Sequence, residues 1–103
     1  MNEDTHPRYV ISIAAEMLGT RTYTLRYYEK VGIVRPARSQ GNIRLYSDMD
    51  LALLRRVRAL MEDLGINLAG VEVILRMSQQ IAQLQAESEE INAELARLRE
   101  ELE

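Results

Sequence analysis

Four residues between positions 23 and 30 could bind a polyanion, and their spacing places them on one face of a helix. The chain has five tyrosines and neither phenylalanine nor tryptophan, and three of the five tyrosines lie in the segment YTLRYYEK. Two cations and two phenolic hydroxyls of this segment could hydrogen-bond phosphate oxygens or base edges. They occupy positions i, i+3, i+4 and i+7 of a predicted helix: Tyr23, Arg26, Tyr27 and Lys30.

The remaining residues of this segment have different expected roles. Leu25 and Tyr28 lie three residues apart on another side of the helix, so we expect both to face the core. Glu29 is expected to pair with a nearby arginine and not to act as a catalytic acid. On this pattern alone, an ordinary helix with its arginines in solvent is the alternative to nucleic-acid binding.

Two short helices joined by a tight turn must position this surface. The first, SIAAEMLG, is predicted to be capped by Ser12 and to end at Gly19. The second is predicted to run from about Thr22 to Val31 and to be closed by Gly32. Such a pair is a helix-turn-helix candidate. The inner face of the first helix is expected to hold Ile13, Ala14, Met17 and Leu18.

A β-hairpin is predicted to follow the helix pair. Alternating runs at 33–36 and 43–46 flank a Ser-Gln-Gly-Asn turn, which is typical of two antiparallel strands. Alternation would turn the aliphatic residues of the second run toward the body, and Arg44 and Tyr46 away from it. Helix, turn, helix and hairpin in this order predict a winged helix-turn-helix. The wing carries three further cations, Arg35, Arg38 and Arg44.

Two more helices are predicted before the last third of the chain. SDMDLALLRRVRALMEDLG begins with Ser47 as its N-cap and Asp50 three residues on, a capping-box arrangement, and stops at Gly65. NLAGVEVILRM follows, with Asn67 as its N-cap. Their inward faces are expected to hold Leu51, Leu54, Val57, Met61 and Leu64 in the first helix, and Leu68, Val71, Ile74 and Leu75 in the second.

An apolar heptad repeat fills the rest of the chain. From Ile74 onward, apolar residues recur at alternating intervals of three and four, which is typical of a coiled coil. A lone helix would leave this stripe in water, so self-association is predicted, and packing of the helix against its own domain is the alternative. Ser88 is the polar core position. The predicted dimerisation residues are Met77, Ile81, Leu84, Ser88, Ile91, Leu95, Leu98 and Leu102.

Composition narrows the function classes. Residues 1–60 hold ten basic and six acidic residues, and residues 61–103 hold three basic and ten acidic ones, which indicates a front half that faces a polyanion. His6 is the single histidine and cysteine is absent, so neither a His-based triad nor a thiolate metal site can form. No enzyme, metal or cofactor is predicted. No apolar run approaches the ~20 residues of a membrane span, and a cytoplasmic, nucleoid-associated protein is expected.

Several of these segments together resemble the MerR family of bacterial transcription regulators. The resemblance covers about residues 9–102 and is carried by TLRYYEKVGIVRP, RSQGNIRLYS, LALLRRVRALMEDLGINLAGV and the coiled coil after them. Within the family, INLAGVEVIL is most similar to the HspR branch of heat-shock repressors. The predicted organisation is a disordered tail at 1–8, a MerR-type winged helix-turn-helix domain at 9–77 and a coiled-coil dimerisation helix at 78–103.

The resemblance implies a mainly α fold in which an antiparallel coiled coil joins two DNA-binding heads on an inverted-repeat operator. It also implies the chaperone DnaK as a co-repressor. Arg21 and Tyr23 stand where the family often has serine and arginine, and the absence of cysteine excludes metal sensing through the cysteines that the family's metal sensors use. The expected DNA-binding residues are Arg21, Thr22, Tyr23, Arg26, Tyr27, Lys30, Arg38, Arg44 and Tyr46.

The expected function is that of a homodimeric repressor of heat-shock and chaperone genes. One alternative is a MerR-like activator that distorts its promoter. Another is a coiled-coil adaptor whose basic heads bind an acidic protein. The chain ends at Glu103 inside the heptads, which suggests either a minimal regulator or one without its C-terminal extension.

Overall fold

The computed structural model describes residues 3–103, which divide into two compact units after Ile66. The first unit contains a 3-10 turn at Glu3–Thr5, helices α1 and α2, a hairpin of strands β1 and β2, and helix α3. The second unit is helix α4. The bounds are α1 Ile11–Leu18, α2 Thr22–Lys30, β1 Ala37–Arg38, β2 Arg44–Leu45, α3 Asp48–Glu62 and α4 Leu68–Leu102. A mainly helical chain with a small two-stranded wing was predicted, and this is confirmed.

Glycine ends both helices of the helix-turn-helix, as the sequence predicted. Gly19 has φ +68°, and the amide of Thr20 donates to the carbonyl of Ala15 at 2.9 Å. Gly32 has φ +88° at the end of α2, where the amide of Ile33 donates to the carbonyl of Tyr28, also at 2.9 Å. Both ends have the hydrogen-bond pattern in which the residue after a left-handed glycine bonds back five positions. Positive φ is strained for residues with a Cβ, so these turns favour glycine.

Helices α1, α2 and α3 surround the core of the first unit. Leu25 and Tyr28 are buried on α2, as predicted, and the Tyr28 hydroxyl donates to the sulfur of Met61 on α3 at 3.7 Å. On α1 the prediction was partly wrong, since Ala14, Ala15 and Leu18 are buried and Ile13 and Met17 are exposed. The short α1 buries a narrow stripe against α2 and α3. The buried apolar residues of this unit are Ala14, Ala15, Leu18, Leu25, Tyr28, Ile33, Val34, Tyr46, Leu51, Leu54 and Val57.

The predicted capping box of α3 is present, and the predicted cap of α1 is not. The Ser47 hydroxyl accepts from the amide of Asp50 at 3.0 Å, and the Asp50 carboxylate accepts from the amide of Ser47 at 2.9 Å. Helix α1 starts two residues earlier than the sequence suggested: its N-cap is Val10, with no side-chain hydrogen bond, and Ser12 lies inside the helix. The stripe of α3 is buried only through Val57; Leu64, beyond the end of the helix, is exposed.

The hairpin is present, but its strands differ from the predicted ones. The first strand is at Ala37–Arg38, and the preceding Ile33 and Val34 are core residues outside any strand. Ala37 pairs with Leu45, and Arg38 pairs with Arg44. Strand β2 is only two residues long, so alternation does not extend to its flanks.

Tyr46 corrects the prediction for the outer face of the wing. Its backbone leaves the hairpin and forms a bridge with Tyr9, with the Tyr46 amide donating to the Tyr9 carbonyl at 2.7 Å. The side chain of Tyr46 is fully buried, whereas Ile43, expected to face inward, is exposed. The two faces were therefore assigned the wrong way round at these positions.

The segment before α1 is attached to α3. Residues 3–5 form a 3-10 turn where the prediction was a disordered tail over 1–8, of which residues 1 and 2 lie outside the described residues. The Tyr9 hydroxyl donates to the Asp48 carboxylate at 2.8 Å, and Arg8 lies 3.9 Å from the same carboxylate. These contacts and the Tyr9–Tyr46 bridge hold the segment at the start of α3.

The second unit is a single uninterrupted helix of 35 residues. Asn67 caps it as predicted, because its side chain accepts from the amide of Gly70 at 2.9 Å. The sequence suggested a separate short helix before the heptads, and this is wrong: one helix contains both. The boundary between the two compact units lies after Ile66. Among the described residues no helix is long and apolar enough to cross a membrane.

Candidate nucleic-acid interface

The outward face of α2 has the composition that the sequence predicted. Tyr23 is 67% exposed and Tyr27 is 51% exposed, although the other side of the same helix is buried. Arg26 and Lys30 are also exposed, and within residues 3–103 neither forms an ion pair. Two large rings in water and two uncompensated cations make a surface suited to sugars, bases and phosphates. We call these four residues the α2 face.

The beginning of α2 contributes two more of the predicted residues. Arg21 is the N-cap residue in an extended conformation, and its side chain is exposed without capping the helix. Its carbonyl accepts from the amides of Thr24 at 3.1 Å and Leu25 at 3.3 Å. Thr22 is half-buried at the first helical position. The Arg21 guanidinium therefore lies at the same end of α2 as Tyr23 and is free to contact a ligand.

The wing is fastened to α2 by one carboxylate. The two oxygens of Glu29 accept separate hydrogen bonds, one from Nε of Arg44 at 2.5 Å and one from Nη2 of Arg38 at 2.9 Å. The prediction that Glu29 pairs with a nearby arginine is confirmed, and the structure identifies two such arginines. On the helix surface Glu29 is adjacent to Arg26, which lies three residues before it. The wing arginines and the α2 face are thus joined into one region.

The ionisation of Glu29 supports this attachment. Burial raises the pKa of Glu29, but the hydrogen bonds and positive charge of Arg44 and Arg38 outweigh it and hold the pKa below its usual range. The group is therefore an anion at neutral pH. A carboxyl whose pKa is lowered by folding stabilises the fold above its unfolded pKa, and this contribution disappears as the pH falls through the folded value. The wing attachment is accordingly expected to weaken only in acid.

Tyr46 does not belong to the interface. It is fully buried, and its hydroxyl has no hydrogen-bond partner among the described residues. Burial, and secondarily the charge of Glu29, raise the pKa of Tyr46, which keeps the phenol neutral. A side chain without solvent access cannot contact DNA, so its predicted role as a wing contact is wrong.

The described part of the chain offers little evidence for a metal site or for a small-molecule site. No group of three or more His, Cys, Asp or Glu side chains is placed to hold a metal ion among residues 3–103. A shallow cleft of about 440 Å³ lies between the N-terminal segment, the wing and α3. Its walls are mainly apolar and include Arg35, and its carboxylate, Asp50, is already engaged in the capping box.

All eight residues predicted for dimerisation are exposed on α4. Seven of them are apolar, and they share one stripe because α4 is continuous across the heptads. Ser88 interrupts the stripe near its middle. An apolar stripe of this length on a single helix is unfavourable in water and fits an interface between two helices.

Comparison with known proteins identifies the family of this chain. The sequence pattern of the MerR HTH family of regulatory proteins matches residues 9–78. A Streptomyces coelicolor protein that carries the heat-shock name HspR is 47% identical over 92% of this chain, and the chain spans 62% of that protein's length. The HTH-type transcriptional regulator GlnR of Bacillus anthracis is 34% identical over 99% of this chain and 84% of its own length.

A solved structure shows the same fold. The crystal structure of HiNmlR, a MerR family regulator lacking the sensor domain, bound to promoter DNA, aligns with a TM-score of 0.63. The match covers 91% of this chain and 77% of that one, at 23% identity. Fold, sequence pattern and relatives therefore agree that the chain belongs to the MerR family of helix-turn-helix regulatory proteins.

Proposed function

We propose that this protein is a homodimeric repressor of heat-shock and chaperone genes that binds an inverted-repeat operator. The main observation in favour of DNA binding is the exposure of the α2 face. Tyr23 and Tyr27 remain in water on a helix that buries Leu25 and Tyr28, and a bound duplex would cover them. The HspR likeness at 47% identity supports the choice of target genes. Repression would follow when the occupied operator overlaps the promoter and limits access of polymerase.

In this proposal the two parts of the interface have different tasks. The α2 face enters the major groove, where Arg26 is suited to a bidentate contact with guanine and the tyrosine hydroxyls can reach base edges or phosphates. Arg38 and Arg44 lie on the wing and contact the flanking backbone. Phosphate contacts set affinity and orientation, and base contacts set sequence preference.

Dimerisation supplies the symmetry that an inverted repeat requires. Two copies joined through the apolar stripe of α4 would present two α2 faces, and a two-fold protein recognises a two-fold site. The DnaK partnership implied by the resemblance is part of the same proposal. We expect purified DnaK to raise operator affinity; unchanged affinity with DnaK present would remove that partner and leave the repressor assignment in place.

The proposed surface can be tested with an arginine variant and a matched control. The wild-type chain should bind a duplex from the region upstream of its own gene more tightly than a scrambled duplex. Its log affinity should fall with log salt by about 0.9 per phosphate contact. Replacement Arg26→Ala should weaken the specific complex by about tenfold to a hundredfold, corresponding to one lost bidentate base contact, and should affect scrambled DNA less.

Arg97→Ala is the control, because it removes one arginine from α4, where Arg97 pairs with Glu94. Fluorescence anisotropy over a salt series measures both variants. Equal affinities for Arg26→Ala and Arg97→Ala would contradict the α2 face, and absence of binding at low salt would contradict DNA binding itself. Transcription of the adjacent gene should rise when this protein is removed, whereas a fall would identify an activator.

A further inference from the structure

Glu29 is an anion placed inside a surface that binds a polyanion, and its geometry is specific. Each of its two oxygens has its own arginine, Arg44 at 2.5 Å and Arg38 at 2.9 Å. The Glu29 side chain is 24% exposed, so water only partly screens its two ion pairs. A carboxylate at this position weakens the attraction of the surface for DNA. Glu29 is therefore expected to make a structural contribution that offsets this loss.

The two arginines need this carboxylate because they face each other across the wing. Arg38 on β1 is the direct cross-strand partner of Arg44 on β2, and like charges directly opposite one another destabilise a hairpin. The hairpin has only two residues in each strand, so backbone pairing alone gives it little rigidity. A single anion between both guanidinium groups removes the repulsion.

The same contact extends to the tip of the wing. While Nη2 of Arg38 donates to Glu29, its Nη1 donates to the carbonyl of Asn42 at 3.2 Å. Asn42 has φ +61°, in the left-handed region, and lies in the turn between the strands. Glu29 on α2 is therefore connected through Arg38 to the turn and through Arg44 to the second strand. The turn and the second strand of the wing are therefore both held in position relative to α2.

We infer that Glu29 is a positioning residue that makes DNA binding selective. It holds Arg38 and Arg44 at fixed places beside the α2 face, and it withholds part of their charge from phosphates that arrive in any other arrangement. This inference rests on the proposed DNA-binding function. Without the carboxylate, the wing would move and both arginines would contact phosphates whatever the base sequence. Non-specific affinity would then increase at the expense of discrimination.

Replacement Glu29→Gln tests this directly, because glutamine keeps the size of the side chain and removes its charge. Affinity for a scrambled duplex should rise roughly fivefold to tenfold at 0.1 M salt for each arginine that gains a phosphate. The slope of log affinity against log salt should steepen by about 0.9 to 1.8, for one or two new contacts. The ratio of operator to scrambled affinity should fall by tenfold or more.

Glu62→Gln is the matched control. Glu62 pairs with Arg58 at 3.1 Å within α3, so its replacement makes the same change in net charge and also breaks an arginine pair. A merely electrostatic effect of net charge would appear in both variants. The double replacement Glu29→Gln with Arg38→Gln should remove about half of the increase in salt slope, because one of the two released cations is gone.

The outcomes separate this inference from the function on which it rests. If wild type prefers its operator and Glu29→Gln has the same slope and preference as Glu62→Gln, the positioning role is overturned and DNA binding stands. If wild type binds no duplex, the proposed function fails and this inference with it. A second readout needs no DNA: the Nε–H resonance of Arg44 should be protected from exchange in wild type and lose that protection in Glu29→Gln. Equal protection in both would also overturn the role.

Discussion

At the scale of the residue, Tyr46 shows how strongly burial determines what a side chain can do. It is the largest fully buried side chain in the described chain, and its backbone is paired with Tyr9, 37 positions earlier. Its apolar ring gains from burial, but its hydroxyl has no partner among the described residues. An unpaired buried hydroxyl costs free energy, so Tyr46 gains stability from its ring and loses some through its oxygen.

Replacement Tyr46→Phe should therefore leave the free energy of unfolding unchanged or raise it by up to about 1 kcal/mol. Operator affinity should not change, because the side chain is inaccessible. Urea unfolding at fixed protein concentration and anisotropy titration measure the two quantities. Tyr23→Phe is the control, because that hydroxyl is exposed on the α2 face and its loss should weaken DNA binding while leaving stability alone. Weaker binding by Tyr46→Phe would show that its hydroxyl organises the wing.

The α2 face and the buried side of α2 could be predicted from the sequence, because a helix of nine residues imposes a fixed angular spacing. Tyr46 could not be placed in the same way. Alternation is informative along a strand, and β2 contains only Arg44 and Leu45. What decides the orientation of Tyr46 is its bridge to Tyr9, a long-range contact that no local pattern encodes.

At the scale of the element, capping chemistry determined which boundaries could be predicted. Ser47 and Asn67 were correctly placed as N-caps, because each has a hydrogen-bonding side chain directly before an amphipathic run. Ser12 satisfies the same rule and is not a cap. The chain turns at Val10 instead, where the bridge between Tyr9 and Tyr46 ends the extended segment. A tertiary contact overrides the local preference there.

Replacement Ser47→Ala should destabilise the first unit by about 1 kcal/mol, because the Asp50 amide loses its acceptor and half of the capping box disappears. The control is Ser12→Ala, a replacement of the same residue type within α1. Ser12 is exposed and caps nothing, so its loss should change stability by less than about 0.5 kcal/mol. Chemical unfolding at one protein concentration compares them. Equal losses for both serines would show that the box contributes nothing beyond the hydroxyl itself.

At the scale of the whole molecule, the two halves of the chain differ in charge, and the exposed apolar stripe lies in the acidic half. The basic excess lies in residues 1–60, and the acidic excess lies in residues 61–103. The acidic part is the helix with the exposed apolar stripe, about 50 Å long at 1.5 Å per residue. An acidic α4 is repelled by the phosphate backbone, so the stripe is better suited to another copy of itself than to DNA.

Replacement of both Leu84 and Leu95 by aspartate should therefore convert the proposed dimer to a monomer. Each leucine would be lost from both protomers, and burying one leucine side chain contributes about 1.5 to 3 kcal/mol, so each substitution should weaken association by about two to four orders of magnitude. The control is aspartate at Ala86 and Ala93, which lie on α4 outside the stripe and receive the same charge. Light scattering coupled to size exclusion gives the mass. Operator affinity should fall with dimerisation in the leucine variant only, because a single head covers half of an inverted repeat. A leucine variant that remains dimeric would place the interface elsewhere.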